Sequence, residues 1–78
     1  MGNYMANVHF LRKLAKDELW DTLFFASGEI PSVEKTKDFY IMNVPGFSTK
    51  IYHNRRILVN GDKCSSIPEA KYVIQQGL

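Results

Sequence analysis

The chain of 78 residues has a single cysteine, Cys64. One cysteine excludes a disulfide scaffold, and one cysteine with two histidines cannot form a closed four-ligand zinc site. No apolar run approaches the roughly 20 residues that a membrane-spanning helix needs. The sequence also lacks a glycine-rich phosphate-binding loop. These absences predict a protein with no metal, no cofactor and no membrane partner.

The residues that are present indicate one folded domain. Apolar residues make up 45% of the chain, which is ordinary for a globular protein and too high for a disordered tail. We expect the domain to cover residues 1–78, with any disorder confined to residues 1–6. The N-terminus lacks the basic and then apolar pattern of a secretory signal, and an unpaired cysteine suits a reducing compartment. The sequence therefore predicts a cytoplasmic location.

Charge is distributed unevenly along the chain, although the formal net charge is only +2. Residues 1–34 carry more acidic than basic side chains, whereas residues 35–78 carry more basic than acidic ones. The sequence therefore predicts an acidic helical front and a basic, strand-rich back. Such an asymmetry bears on the choice of partners rather than on the fold.

Residues 8–26 have helical spacing, but their apolar side changes position along the helix. The residues concerned are Phe10, Leu11 and Leu14 in the first half and Leu19, Trp20, Leu23 and Phe24 in the second. Either the helix breaks near Asp17, or one helix is buried on both sides. Asp17 is a good N-cap residue, and the acidic residues after it suit the first turn of a helix. We therefore favour two helices, about 8–16 and 18–27.

The middle of the chain is rich in aromatic and β-branched residues, which is typical of strands. The predicted strands are 38–44, 47–53 and 57–59. Pro45-Gly46 and Asn54-Arg55 supply the turns between them. Asn60-Gly61 is a strong signal for a two-residue hairpin turn, which either ends the third strand or adds a short fourth pairing through 63–64.

The last element is predicted to be a helix that begins after Ser66. Ser66 and Glu69 have the spacing of a capping box, in which each side chain binds a free backbone N–H of the first turn. Pro68 lies in that turn, where its missing N–H has no cost. The fold class that results is α+β, with one or two N-terminal helices, a three-stranded antiparallel meander and a C-terminal helix packed on one sheet face.

Catalytic and metal-binding interpretations have little support in the sequence. Cys64 with His53 or His9 could form a nucleophile and a base, but no motif supplies an orienting group or an oxyanion-binding turn. Asp17 and Asp21 lie one helical turn apart, yet a helix cap and a solvated surface residue explain them more simply. We therefore predict that the protein is not an enzyme.

Two groups of residues are candidates for binding. Aromatic residues in the second helical half suggest a protein interface, since large exposed rings mark contact sites. Basic residues interleaved with an aromatic on the sheet are typical of a nucleic-acid surface. The candidates for protein binding are Trp20, Phe24, Phe25, Tyr52, Arg55 and Arg56. The candidates for nucleic-acid binding are Lys50, Tyr52, Arg55, Arg56, Lys63 and Lys71.

From residue 39 to residue 78 the order of elements resembles the double-stranded RNA-binding domain. Ser66, Ala70 and Lys71 look like the Ser…Ala-Lys pattern at the start of that family's last helix, although Ile67 and Pro68 stand where the family has a basic pair. The same region is similar to the three-stranded DNA-binding domains of phage integrases and plant transcription factors. These resemblances imply a three-stranded sheet with a helix, and binding of duplex RNA or DNA.

In length, lack of motifs and aromatic content, the chain also resembles the small phage proteins that bind and block host enzymes, including inhibitors of bacterial defence systems. That resemblance implies a non-catalytic partner-binding protein. The function we expect is thus inhibition of a host protein, through the helix aromatics and a basic sheet face, or self-association as a homodimer. The alternative is direct binding of double-stranded RNA or DNA by the basic sheet face.

Overall fold

The computed structural model describes the backbone of residues 3–52 and 56–77, and the side chains of residues 13–52 and 56–77. A long helix is followed by five strands and a second helix, which confirms the α+β class. The elements are α1 (Asn3–Ser27), β1 (Ser32–Lys35), β2 (Phe39–Val44), β3 (Phe47–Tyr52), β4 (Ile57–Val59), β5 (Asp62–Cys64) and α2 (Ile67–Gly77).

The N-terminal helical region is one helix, so the favoured prediction of two helices is wrong. Asp17 lies exposed in the middle of α1. A continuous buried stripe runs past it on the other side of the helix. Its members are Ala15, Leu19, Thr22 and Leu23. Because packing of such a stripe stabilises a helix more than a local capping signal does, the helix continues through the candidate break.

The sheet has five antiparallel strands in the order β1-β2-β3-β4-β5, which is two more than predicted. Lys35 of β1 lies opposite Tyr40, and Lys63 of β5 lies opposite Leu58. All residues of β1 are exposed, so β1 lacks the alternation by which strands are recognised. The strand β5 follows Asn60-Gly61 and pairs with β4. Of the two outcomes predicted for this turn, the short additional pairing is therefore the one found.

Both helices pack on the same face of the sheet and against each other. The core lies between these two layers. Its buried apolar residues are Ala15, Leu19, Leu23, Met42, Val44, Ile51, Ile57, Val59, Cys64, Ala70 and Ile74. In the part of the chain that the structure describes, no element covers the opposite face of the sheet, because α1 and α2 are its only helices.

The start of α2 has one of the two hydrogen bonds of the predicted capping box. The backbone N–H of Glu69 donates to Ser66 Oγ at 3.2 Å. The carboxylate of Glu69 reaches back one residue further than in a standard capping box, and Oε2 accepts a hydrogen bond from the backbone N–H of Ser65 at 2.9 Å. The bond to Ser66 Oγ satisfies one of the N–H groups that lack a partner within the helix, and the bond from Ser65 joins the residue before the cap to the first turn.

Among residues 3–52 and 56–77, no helix combines the length and the apolar content required to cross a bilayer.

Candidate binding face on the sheet

The face of the sheet that carries no helix is named here the open face. Residues that lie directly opposite each other on neighbouring antiparallel strands point to the same face. Thr49 and Ile51 of β3 are buried beneath the helices, so their neighbours in β3 point to the open face. The strand register then assigns to it Ser32, Glu34, Phe39, Ile41, Asn43, Ser48, Lys50, Tyr52, Leu58 and Lys63.

Lys50 lies at the centre of the open face, in a row that crosses all five strands. It stands opposite Ile41 on one side and Leu58 on the other, and the row ends at Glu34 and Lys63. Ile41, Lys50 and Leu58 are all half-buried. The methylene stem of Lys50 can thus cover the aliphatic neighbours while its ammonium group stays in water. The middle of the open face is apolar with a positive charge at its centre.

A second row of the open face combines two aromatic rings with an arginine. Phe39 stands opposite Tyr52, and their ring centroids are 4.9 Å apart with the planes tilted by 34°. The backbone N–H of Tyr52 donates to the carbonyl of Arg56 at 2.8 Å, which continues the pairing of β3 and β4. The Arg56 guanidinium lies 5.8 Å from the Tyr52 centroid, and Lys50 Nζ lies 5.5 Å from the Phe39 centroid. Both distances are within the range of cation–π attraction.

A small depression lies beside Lys50 at the end of the face that carries two tight turns. It is lined by Ser48, Lys50, Leu58, Asn60 and Gly61. Asn60 Oδ1 accepts from the Ser48 backbone N–H at 2.7 Å, which fixes the rim. Lys50 and Ser48 in this lining have an ammonium group and a hydroxyl group within side-chain reach of the depression, and such groups can bind an anionic part of a ligand.

The structure brings four of the basic or aromatic candidates to one surface. Lys50, Tyr52 and Lys63 point to the open face, and Arg56 lies over the ring of Tyr52. Arg55 lies outside the described residues.

Lys71 is separated from the other basic candidates by the sheet. It belongs to α2, and its Nζ lies 3.4 Å from Glu18 Oε1 of α1. Lys71 therefore links the two helices and takes no part in the open face.

Phe39, Ile41 and Leu58 also belong to this surface, although they were not predicted from the sequence. Alternation along β3 was sufficient to place Lys50 and Tyr52 together. To add Phe39, one must know that the turn at Pro45-Gly46 sets Phe39 opposite Tyr52. Pro45-Gly46 was recognised as a turn from the sequence. The β2–β3 register that this turn sets could therefore have predicted the Phe39–Tyr52 pair.

The three aromatic candidates of α1 have different surroundings. Trp20 and Phe24 are half-buried, and their rings are stacked with centroids 5.5 Å apart. Trp20 also packs against the core. Phe25 is 80% exposed and lies beside a groove between the two helices that Asp21 and Gln75 also line. Phe25 and the open face are therefore on opposite layers of the molecule.

Cys64 is a buried residue of β5. Burial raises the pKa of its thiol above the ordinary value, and the negative charges of Glu69 and Asp62 raise it further. A raised pKa keeps the sulfur as a neutral thiol, which is a poor nucleophile. The proposed pairing of Cys64 with His9 or His53 involves side chains outside the described residues. Within the residues described, no three His, Cys, Asp or Glu side chains are grouped so that they could hold a metal ion.

Comparison with known proteins gives no relative, since no family model, no curated protein and no solved structure matches this chain.

Proposed function

We propose that this protein is a non-catalytic interaction protein that binds an acidic macromolecule through its open face. The observation that carries the proposal is the position of Lys50 in a row of aliphatic residues, next to the Phe39–Tyr52 ring pair, on a sheet face that no described element covers. Contiguous apolar surface of this kind marks contact sites. A cation at its centre favours a negatively charged partner.

The first candidate partner is a protein. Centres of protein interfaces are rich in aromatic residues and arginine and poor in acidic ones, which is the composition around Tyr52 and Arg56. Together with the resemblance in kind to small phage inhibitors, this composition favours blockage of a host enzyme that handles nucleic acid or acts in defence. In this proposal the open face replaces the helix aromatics as the main contact, because Trp20 is engaged with the core.

Self-association is a variant of the same candidate. The exposed carboxylates of Asp17 and Asp21 lie on the helical layer, and the basic open face lies on the opposite layer. A second copy could place its helical layer on the open face of the first. Such a contact is heterologous, so it predicts association that continues beyond a dimer as the concentration rises.

The second candidate partner is nucleic acid. The observation that favours it is the ring pair with a cation over each ring, since bases stack on aromatic side chains and phosphates attract lysine and arginine. Both candidates use the same surface, so the same substitutions test the proposal.

The decisive experiment is capture from a bacterial lysate by immobilised protein, with and without nuclease treatment. Lys50→Glu should abolish capture because it reverses the charge at the centre of the open face. Lys13→Glu is the matched control, since Lys13 is an exposed lysine of α1, and it should leave capture unchanged. Equal capture by the wild type and by Lys50→Glu would contradict the proposal. Light scattering over a range of concentrations tests self-association, for which the average mass should keep rising beyond that of a dimer.

A further inference from the structure

Resting on the proposed function, we infer that the ligand of the open face is single-stranded nucleic acid. Its bases would stack on the Phe39–Tyr52 ring pair, and a backbone phosphate would bind Lys50 at the depression beside Ser48. Three separate observations support this assignment, and each corresponds to one chemical part of a nucleotide strand.

The first observation is that the Phe39 and Tyr52 rings are held in a fixed arrangement. Phe39 and Tyr52 stand opposite each other on adjacent strands, and their rings touch at 4.9 Å between centroids. Both are half-buried, so the sheet holds their stems while part of each ring reaches solvent. Rings that are already fixed lose little side-chain freedom when a ligand stacks on them. Each ring covers one face of the other, so a base would stack on the outer face of either ring after the flexible Lys50 or Arg56 side chain moves aside. Every base has a flat π-face, so such stacking does not depend on the sequence of the strand.

The second observation is the placement of positive charge around the rings. Lys50 lies over Phe39, and Arg56 lies over Tyr52. Lys63 extends the line of charge to the edge strand β5. Glu34, at the far edge, is the one carboxylate that the strand register places among these described face residues. A strand of phosphates that follows the line from Phe39 toward Lys63 would meet cations at successive positions.

The third observation is the depression itself. It is lined by Ser48, Lys50, Leu58, Asn60 and Gly61. Lysine and hydroxyl groups together bind phosphate oxygens, whereas the apolar wall of Leu58 can contact a sugar. The depression is next to the ring pair along β3, because Ser48, Lys50 and Tyr52 occupy alternate positions of the same strand.

These features favour a single strand over a duplex. In a duplex the faces of the bases are stacked inside the helix, so rings on the surface of a sheet cannot reach them. A duplex would therefore contact only the basic side chains, and the fixed arrangement of the two rings would make no contribution to binding. The expectation of duplex binding that came from the sequence resemblance is replaced here by single-strand binding.

Fluorescence anisotropy tests the inference. The probes are a labelled 12-nucleotide oligo-uridine, the corresponding oligo-thymidine and a labelled duplex of 12 base pairs. We expect the single strands to bind more tightly than the duplex. We also expect the logarithm of affinity to fall with the logarithm of salt concentration, with a slope of about 0.7 for each phosphate contacted.

Two substitutions separate stacking from charge. Tyr52→Leu should weaken binding of the single strand by about tenfold and leave the salt slope unchanged, whereas Tyr52→Phe should retain most of the affinity. Lys50→Gln should reduce the salt slope by about 0.7. Lys13→Gln, on the helical layer, should change neither quantity. Thermal unfolding of each variant shows whether it is folded before its binding is compared.

The possible outcomes distinguish this inference from the proposed function. Equal affinity of Tyr52→Leu and wild type for the single strand, or tighter binding of the duplex, overturns the inference. Absence of binding to all three probes also overturns it. In that case nuclease-resistant capture that is lost in Lys50→Glu would still support the proposed function with a protein partner. If the protein binds none of the three probes and Lys50→Glu captures as much as the wild type, both the inference and the proposed function are overturned.

Discussion

Asn60 Oδ1 accepts a hydrogen bond from the backbone N–H of Ser48 at 2.7 Å, so the turn after β4 is fastened to the start of β3. Asn60 Nδ2 also donates to the carbonyl of Gly46 at 3.2 Å. Asn60 has a φ of 51° and is followed by Gly61 with a φ of 86°. Positive φ at both central residues is the requirement of the type I′ hairpin turn. One side chain thus links two neighbouring turns at the rim of the open face.

The first prediction concerns this link. Asn60→Ala should lower the free energy of unfolding by about 2 kcal/mol, because alanine is strained at positive φ and makes neither hydrogen bond. Asn60→Gly removes the hydrogen bonds but tolerates the backbone, so it should cost about 1 kcal/mol. Chemical denaturation of both variants measures the two contributions. Equal stability of Asn60→Gly and wild type would show that the link to Ser48 does not stabilise the fold.

The second prediction concerns the continuity of α1. Asp17→Ala should change the free energy of unfolding by no more than about 0.5 kcal/mol, because Asp17 is an exposed residue in the middle of a helix. Ser66→Ala, at a residue that does cap a helix, should cost about 1 kcal/mol and serves as the reference. A cost for Asp17→Ala as large as that for Ser66→Ala would indicate that a second helix begins at Asp17.

The third prediction concerns a hydroxyl group in the core. Thr49 is fully buried, and its Oγ1 has no hydrogen-bond partner among the described residues. Thr49→Val keeps the shape and removes the unsatisfied group, so it should raise the free energy of unfolding by about 1 kcal/mol. The matched control is Thr22→Val, because the buried Thr22 hydroxyl donates to the Glu18 carbonyl at 2.9 Å. Thr22→Val should bring no such gain. A loss of stability in Thr49→Val would contradict the assignment.

The fourth prediction concerns pH. Hydrogen bonds from the side chain and the backbone of Ser65 lower the pKa of Glu69 below its ordinary value of 4.5. A lowered pKa in the folded state contributes stability that is present above the ordinary pKa and is lost as the pH falls through the folded one. The melting temperature of Glu69→Gln should therefore be below that of the wild type at pH 7, and the difference should shrink as the pH falls below 4.5 and disappear below the lowered pKa of Glu69.

Ser65→Ala tests the origin of this pH dependence. It removes one of the two donors to Glu69 and leaves the backbone N–H in place. The pH-dependent part of the stability should become smaller in Ser65→Ala, and the effects of Ser65→Ala and Glu69→Gln should not add in the double variant. An unchanged pH profile in Ser65→Ala would mean that the backbone N–H of residue 65 or the helix start, rather than the Ser65 hydroxyl, stabilises the carboxylate.

Most of the fold was accessible from sequence because its signals are local. The strands β2, β3 and β4 and the helix α2 were recognised from alternation, turn residues and a capping pattern. The strand β1 was not recognised, since Val33 and its neighbours are all exposed and show no period. The choice between one and two N-terminal helices depended on packing against the sheet, and no local signal at Asp17 reports such packing.

Only part of the candidate site could be predicted from the sequence, because the rest depends on contacts between distant parts of the chain. Alternation within β3 groups Lys50 with Tyr52 in any register. The assignment of Phe39 depends on pairing between strands, and the assignment of Lys71 depends on how α2 is rotated on the sheet. Lys71 contacts Glu18, which is 53 positions away in the chain, and no local pattern connects the two.

The order of the sheet has a consequence for the way the protein forms. Each strand is hydrogen-bonded to the strands that precede and follow it in the chain, so every hairpin closes over a short loop. Short closures lose little chain entropy, and domains with local contacts have low contact order and fold fast. Stopped-flow dilution from urea should show a main refolding phase that is complete within about a second at 25 °C.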